Sequence, residues 1–274
     1  MLYRGMDRAQ LDAAYNNSAA VPERDAIIAG WAVRSAAIRR ERPGHFDLRY
    51  GETPRERIDL FPAAAPNAPT LAFIHGGYWQ MNDKDSFAFL AEGLAPNGIN
   101  LALIEYTLAP AARMDRIVAE LRRSVGWLAE HLGDYGVDPA RLYVAGHSAG
   151  GHLTAMTMTL RAVQGGLAIS GLYDLEPIRL NYLNEKLGLD PQEAERNSPL
   201  LHLPPMAGEL VVAYGTNELP ELCRQSIEYA QAWTERGLAG HLLPVDGADH
   251  FTILDALADP QGALVRALLD MIAG

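Results

Sequence analysis

Arg141-Leu142-Tyr143-Val144-Ala145-Gly146-His147-Ser148-Ala149-Gly150-Gly151 is the stretch that decides the fold. Its first half is a short apolar run, and residues 151 to 161 read as a helix. Between them lies G-x-S-x-G. A sharp strand-to-helix turn needs small residues on both sides of a residue held in a strained conformation, and it lifts the serine hydroxyl above the sheet at a helix N-terminus. A chain of this composition produces the pentapeptide by chance only roughly 0.07 times.

Outward from this turn the same rhythm repeats. Apolar runs at Thr70 to Ile74, Asn100 to Glu105, Leu167 to Ser170, Glu209 to Tyr214 and His241 to Val245 alternate with helical patterns at Ser86 to Ala95, Met114 to Leu132, Pro220 to Arg236 and Pro260 to Ile272. Apolar runs of about five residues between helices of about 10 to 20 predict an α/β fold: a mostly parallel sheet of about eight strands with helices on both faces. A hairpin, His45 to Tyr50 and Arg57 to Phe61, precedes the alternation, and Pro62 to Pro69 reads as a loop. One domain over residues 1–274 is expected. A helical N-terminal segment over about 1–42, with its main helix from Pro22 to Arg40, and an insertion over about 175–205 are expected to form a small cap.

A serine is a weak nucleophile until a base takes its proton and a third group holds the base. His250, in a turn between the run ending at Val245 and the last helix, stands where a late base is expected. Glu218 follows the run that ends at Tyr214 and is preferred as the acid. Asp246 and Asp249 are rivals that would have to fold back locally. Glu221 reads as a helix N-terminal acid favoured by the dipole. Acyl transfer develops charge on a carbonyl oxygen, so the N–H groups of Gly77, Tyr78 and Ala149 are candidates for an oxyanion hole. His75 is expected to brace the Gly76-Gly77 loop, His147 to be a packed neighbour, and His152 to sit on the helix surface or the pocket wall.

Composition narrows the partners. Of 274 residues, 34 are acidic and 23 are lysine or arginine, a net charge of −11 that repels phosphate backbones and anionic lipid, so neither nucleic acid nor a membrane is an expected partner. No segment approaches about 18 consecutive apolar residues. The single cysteine, Cys223, forms no disulfide or thiolate metal site alone, and cytoplasmic localisation is expected. No metal and no cofactor is implied, because the histidines lack ligand spacing and the glycines match no nucleotide fingerprint. A small-molecule substrate is the expected partner, with room for a homodimer. Because an imidazole base works only when neutral, activity is expected to fall as the pH drops through about 6.5.

From about Thr70 onward these residues resemble the α/β-hydrolase superfamily, and within it the hormone-sensitive-lipase-like esterases and kynurenine formamidases (arylformamidases). His75-Gly76-Gly77-Tyr78-Trp79-Gln80 is similar to the H-G-G-x-W loop of the formamidases, and Gly171-Leu172-Tyr173-Asp174-Leu175 and Asn197-Ser198-Pro199 are similar to segments of the same branch. The resemblance implies Ser148 as nucleophile, Glu218 as acid, where relatives often carry aspartate, and His250 as base, acting by acyl-enzyme chemistry. It implies an aryl formamide substrate, N-formylkynurenine of tryptophan catabolism, with Trp79, Tyr173, Tyr182 and Phe251 beside Tyr78 as aromatic walls. A carboxylesterase for small aryl or short acyl esters, and a non-catalytic receptor on the same fold, are the alternatives.

Overall fold

The computed structural model describes residues 1–65 and 67–274; Pro66, within the expected Pro62 to Pro69 loop, lies outside the described residues. Eight strands form one sheet: β1 (His45–Arg49), β2 (Arg57–Phe61), β3 (Thr70–Ile74), β4 (Asn100–Ile104), β5 (Leu142–His147), β6 (Val163–Ile169), β7 (Glu209–Gly215) and β8 (Gly240–Val245). Their order is β1-β2-β4-β3-β5-β6-β7-β8. β2 is antiparallel to both β1 and β4, and all later pairings are parallel.

The parallel strands are apolar throughout because both faces are covered. Period-2 alternation sends Ala72, Ile74 and Val144 to one core and Leu71, Phe73 and Ala145 to the other. The chain begins with α1 (Arg8–Ala14), α2 (Asn17–Ala20) and α3 (Arg24–Glu41); α3 lies over the second core with the 3-10 segment Lys84–Leu90 and α4 (Ala91–Leu94). Over the first core lie α5 (Met114–His131) and α6 (Ala149–Thr157). The insertion carries α7 (Glu176–Arg179), α8 (Asn184–Leu187) and α9 (Pro191–Arg196); α10 (Pro220–Glu235) joins the first core, and α11 (Asp255–Ala258) and α12 (Ala263–Ala273) complete the second. Among the described residues no helix is long and apolar enough to cross a membrane.

Two short helices absent from the sequence-based reading start the chain, and local capping explains both. Asp7 and Gln10 form a capping box, with the Asp7 carboxylate accepting from Gln10 N at 2.9 Å and Gln10 Oε1 accepting from Asp7 N at 3.0 Å. Asn16 caps the next turn by accepting from Ala19 N at 3.1 Å. Helix α3 then docks through Ser35, whose hydroxyl donates to Ser86 O (2.9 Å) and accepts from Phe89 N (3.1 Å). The same 3-10 segment is pinned by Lys84, whose ammonium meets Asp47, Asp59 and Asp85; burial would lower its pKa, but these carboxylates raise it.

Candidate active site

Ser148 occupies the turn between β5 and α6 with φ 58° and ψ −118°, a left-handed backbone that a non-glycine residue holds only where the surroundings enforce it. Its N–H donates to Ile169 O at 2.8 Å, which fixes the turn against β6. Gly150 makes the turn sterically feasible: a Cβ there would stand 1.9 Å from Ile74 O, in the neighbouring strand. Helix α6 therefore starts at Ala149, two residues earlier than its apolar pattern suggests.

Glu218 follows β7, and His250 lies beyond β8. The His250 Nδ1 meets Glu218 Oε2 at 2.7 Å, and the glutamate side chain is fully shielded from water. The other glutamate oxygen, Oε1, accepts from Gly215 N at 2.7 Å and from the Ser170 hydroxyl. Both oxygens of this buried carboxylate thus have donors, three in all, as burial of a charge demands. The rival acids serve local turns instead: Asp249 Oδ1 accepts from Phe251 N (2.7 Å) and Thr252 N (2.9 Å), while Asp246 reaches Thr216 on the exposed side. Glu221 is paired with Arg224 and Tyr15.

The loop after β3 carries three consecutive residues in the left-handed region, Gly77 (φ 109°), Tyr78 (φ 49°) and Trp79 (φ 58°). The N–H groups of Gly77, Tyr78 and Ala149 donate to no acceptor among the described residues. Beneath the loop, His75 is buried with Nε2 3.1 Å from Glu105 Oε1 and its ring stacked on Tyr106 at 4.4 Å. Burial would raise the Glu105 carboxyl, but His75 and Arg55 hold it below the usual carboxylate range.

Ser148, His250, Gly77 and Tyr78 all face one cavity of about 240 Å³, somewhat below the roughly 300–1,000 Å³ typical of drug-sized ligands. Phe87 and Phe251 provide aromatic wall, and Met81 adds apolar surface. Asn82, Ser86 and His147 also line it, and one whole side comes from residues 17–31: Asn17, Ser18, Arg24, Ile28 and Trp31. The insertion lends it no residue. It packs instead on the N-terminal segment, where Tyr3 donates to Asp174 at 2.6 Å and Tyr182 N donates to Asp12 at 2.8 Å.

Three of the four aromatic residues expected beside Tyr78 do not line this cavity. Trp79, turned by its positive φ, is fully buried and meets His152 edge-on at 5.1 Å. Tyr173 is fully buried and stacked on Tyr229 at 4.2 Å. Tyr182 is half-buried in the insertion, against α1. His152 is neither on the surface nor on the cavity wall; its Nε2 donates to Asn197 O at 2.7 Å, and burial pushes its pKa down to about 4.

Two contributors were not singled out for the site from sequence. His147 donates through Nε2 to the carbonyl of His250 at 2.7 Å, holding the backbone that carries the imidazole; burial and the neighbouring His250 keep its own pKa well below the ordinary value. Ser170, itself at φ 52°, clamps Glu218. The available signal was position, since one sits beside the strained serine and the other ends the next strand.

Sheet order and strained turn define an α/β-hydrolase, and the protein is a hydrolase of that class. Residues 58–216 match the BD-FAE family. The kynurenine formamidase of Danio rerio is 35% identical over 241 residues, an alignment spanning 82% of this chain and 81% of that protein. A candidate thioesterase from Silicibacter sp. TM1040 superposes with a TM-score of 0.86 at 28% identity, covering 97% of this chain and 99% of the other. An esterase of Pyrobaculum calidifontis shares the fold with a TM-score of 0.70 at 17% identity, covering 91% and 92% of the two chains. The chain belongs to the BD-FAE family and, among α/β-hydrolases, to that of the kynurenine formamidases.

Proposed function

We propose that the protein is a serine hydrolase that cleaves a small aryl formamide, N-formylkynurenine, in tryptophan catabolism, and that it works in the cytoplasm. In this reading the Ser148 hydroxyl attacks the formyl carbonyl while His250 Nε2 takes its proton. Glu218 fixes the ring through Nδ1 and stabilises the imidazolium. The N–H groups of Gly77, Tyr78 and Ala149 receive the developing oxyanion. His250 then returns the proton to the departing aniline nitrogen, and a water activated by the same imidazole releases formate from Ser148.

The observation that carries the mechanism is the meeting of strained Ser148 and the His250–Glu218 pair (2.7 Å) at one cavity. Support for the substrate comes from the 35% identity to a kynurenine formamidase across four-fifths of both chains, and from a cavity sized for a small aromatic ligand. A second reading, hydrolysis of small aryl or short acyl esters, is favoured by the 28% identical candidate thioesterase. Comparing kcat/KM for N-formylkynurenine and p-nitrophenyl acetate separates the two. A higher value for the ester overturns the formamidase assignment, and no labelling of Ser148 by an organophosphonate overturns the mechanism.

A further inference from the structure

The loop after β3 is fastened in two ways. Gly76, Gly77 and Trp79 are held through their carbonyls: Asn82 Nδ2 donates to Gly76 O (3.2 Å), Gln80 N (2.9 Å) and Met81 N (3.1 Å) donate to Gly77 O, and Ala109 N donates to Trp79 O (2.8 Å). Tyr78 is held through its side chain. Its hydroxyl donates to Tyr15 O at 2.7 Å and accepts from Asn17 Nδ2 at 3.0 Å. The Tyr78 φ of 49° lies in the left-handed region, where a residue with a Cβ stays only while its surroundings enforce it. Peptide planes are rigid, so any change of backbone angle at Tyr78 re-aims the N–H groups beside it.

Tyr15 is itself a fixed post. It is fully buried at the C-terminal end of α1, and its hydroxyl donates to Glu221 Oε2 at 3.1 Å and accepts from Gln225 Nε2 at 3.0 Å. Both partners lie in the first two turns of α10, the helix that follows Glu218. Tyr15 thus joins the loop after β3 to the helix after the acid, from a position that precedes the cavity wall of residues 17–31 and does not line the cavity. Neither partner depends on it alone: Glu221 Oε2 also accepts from Arg224 (2.8 Å), and Gln225 Nε2 also donates to Asp174 O (3.1 Å). The Tyr15 hydroxyl can therefore be removed without stranding a buried group.

We infer that Tyr15 and the Tyr78 hydroxyl are positioning groups for the oxyanion hole: the Tyr15 carbonyl holds the Tyr78 ring, and the ring holds the left-handed turn that aims the N–H groups of Gly77 and Tyr78. The inference rests on the serine hydrolase mechanism above and adds to it a residue that touches no reacting atom. It gives the N-terminal segment a part in turnover. Losing an oxyanion donor outright costs roughly 10²–10³-fold in kcat, and a donor that is still present but loosely aimed costs less.

The test counts active sites with an organophosphonate and compares kcat per labelled serine in the wild type, Tyr78→Phe, Tyr15→Phe and the double variant, on N-formylkynurenine or, if that is not hydrolysed, on p-nitrophenyl acetate. Tyr78→Phe keeps ring and backbone, and is expected to lower kcat about tenfold while KM changes less than about twofold. Inhibition by phenylboronic acid, whose anionic tetrahedral adduct with the serine mimics the transition state, is expected to weaken by a similar factor. Tyr15→Phe is expected to lower kcat about threefold in the wild type and to cost nothing further in Tyr78→Phe, because it acts through the hydroxyl already removed. Unchanged kcat per labelled site in Tyr78→Phe, a fall in kcat with boronate inhibition unchanged, or a Tyr15→Phe loss undiminished in the double variant overturns the inference alone. If Tyr78→Phe does not fold, kcat and boronate inhibition of Tyr15→Phe decide it. A wild type that the phosphonate does not label overturns the serine mechanism and the inference with it.

Discussion

Two walls meet at the cavity, and they are built by opposite rules. The wall at the carboxyl ends of β3, β5, β7 and β8 is rigid backbone in which Glu218 is hydrogen-bonded to His250, Ser170 and Gly215. The wall from Asn17 to Trp31 rides on helices and leaves three buried polar atoms unmatched. Reaction geometry has to be fixed before substrate arrives, whereas a wall that only bounds the chamber does not.

The contrast predicts that damage to the sheet wall appears in kcat or in stability, and damage to the helical wall in KM. The largest effect belongs to Ser148→Ala, expected to lower kcat on every substrate by about 10⁴-fold or more without a comparable change in Tm; wild-type turnover in that variant would break the mechanism. Glu218→Gln keeps the shape but not the charge that holds the imidazole, and a loss of kcat on the order of 10³-fold is expected in steady-state assays. Gly150→Ala forces a Cβ into the Ile74 carbonyl, so urea unfolding should show a loss of about 3 kcal/mol or more.

The smallest effect concerns pH. His152 has a pKa of about 4 when folded, lowered by burial, against about 6.5 when unfolded. Between those values the unfolded chain binds the extra proton, so this stabilisation is complete above pH 6.5 and is lost as the pH falls toward 4. Urea melts at pH 7 and pH 5 are expected to differ by about 2 kcal/mol from this group. His147, also lowered, acts in the same direction. A His152→Gln protein showing the full wild-type difference would assign the loss elsewhere.

The sheet wall was largely legible in sequence because its chemistry constrains neighbours along the chain. A strained serine needs Gly146 and Gly150 beside it, and Glu218 and His250 follow strand ends, so Ser148 and the hydrogen-bonded pair could be picked out together. The helical wall was not legible. Asn17, Arg24 and Trp31 come to the cavity from across the fold, and periodicity reports that α3 has a buried side without reporting what lies opposite it. Trp79 and Tyr173, which the family resemblance implies as walls, lie away from the cavity, because a positive φ turns one ring into the core and stacking on Tyr229 buries the other. Ser170 and His147 stayed unassigned because support of a backbone carbonyl or a carboxylate leaves no residue pattern.

The rings of Trp31 and Phe251 lie 6.2 Å apart at the cavity. Residues 17–31 and residues 250–251 thus close the same chamber from positions more than 200 residues apart. A cut in either segment therefore opens the chamber, however intact the turn at Ser148 stays.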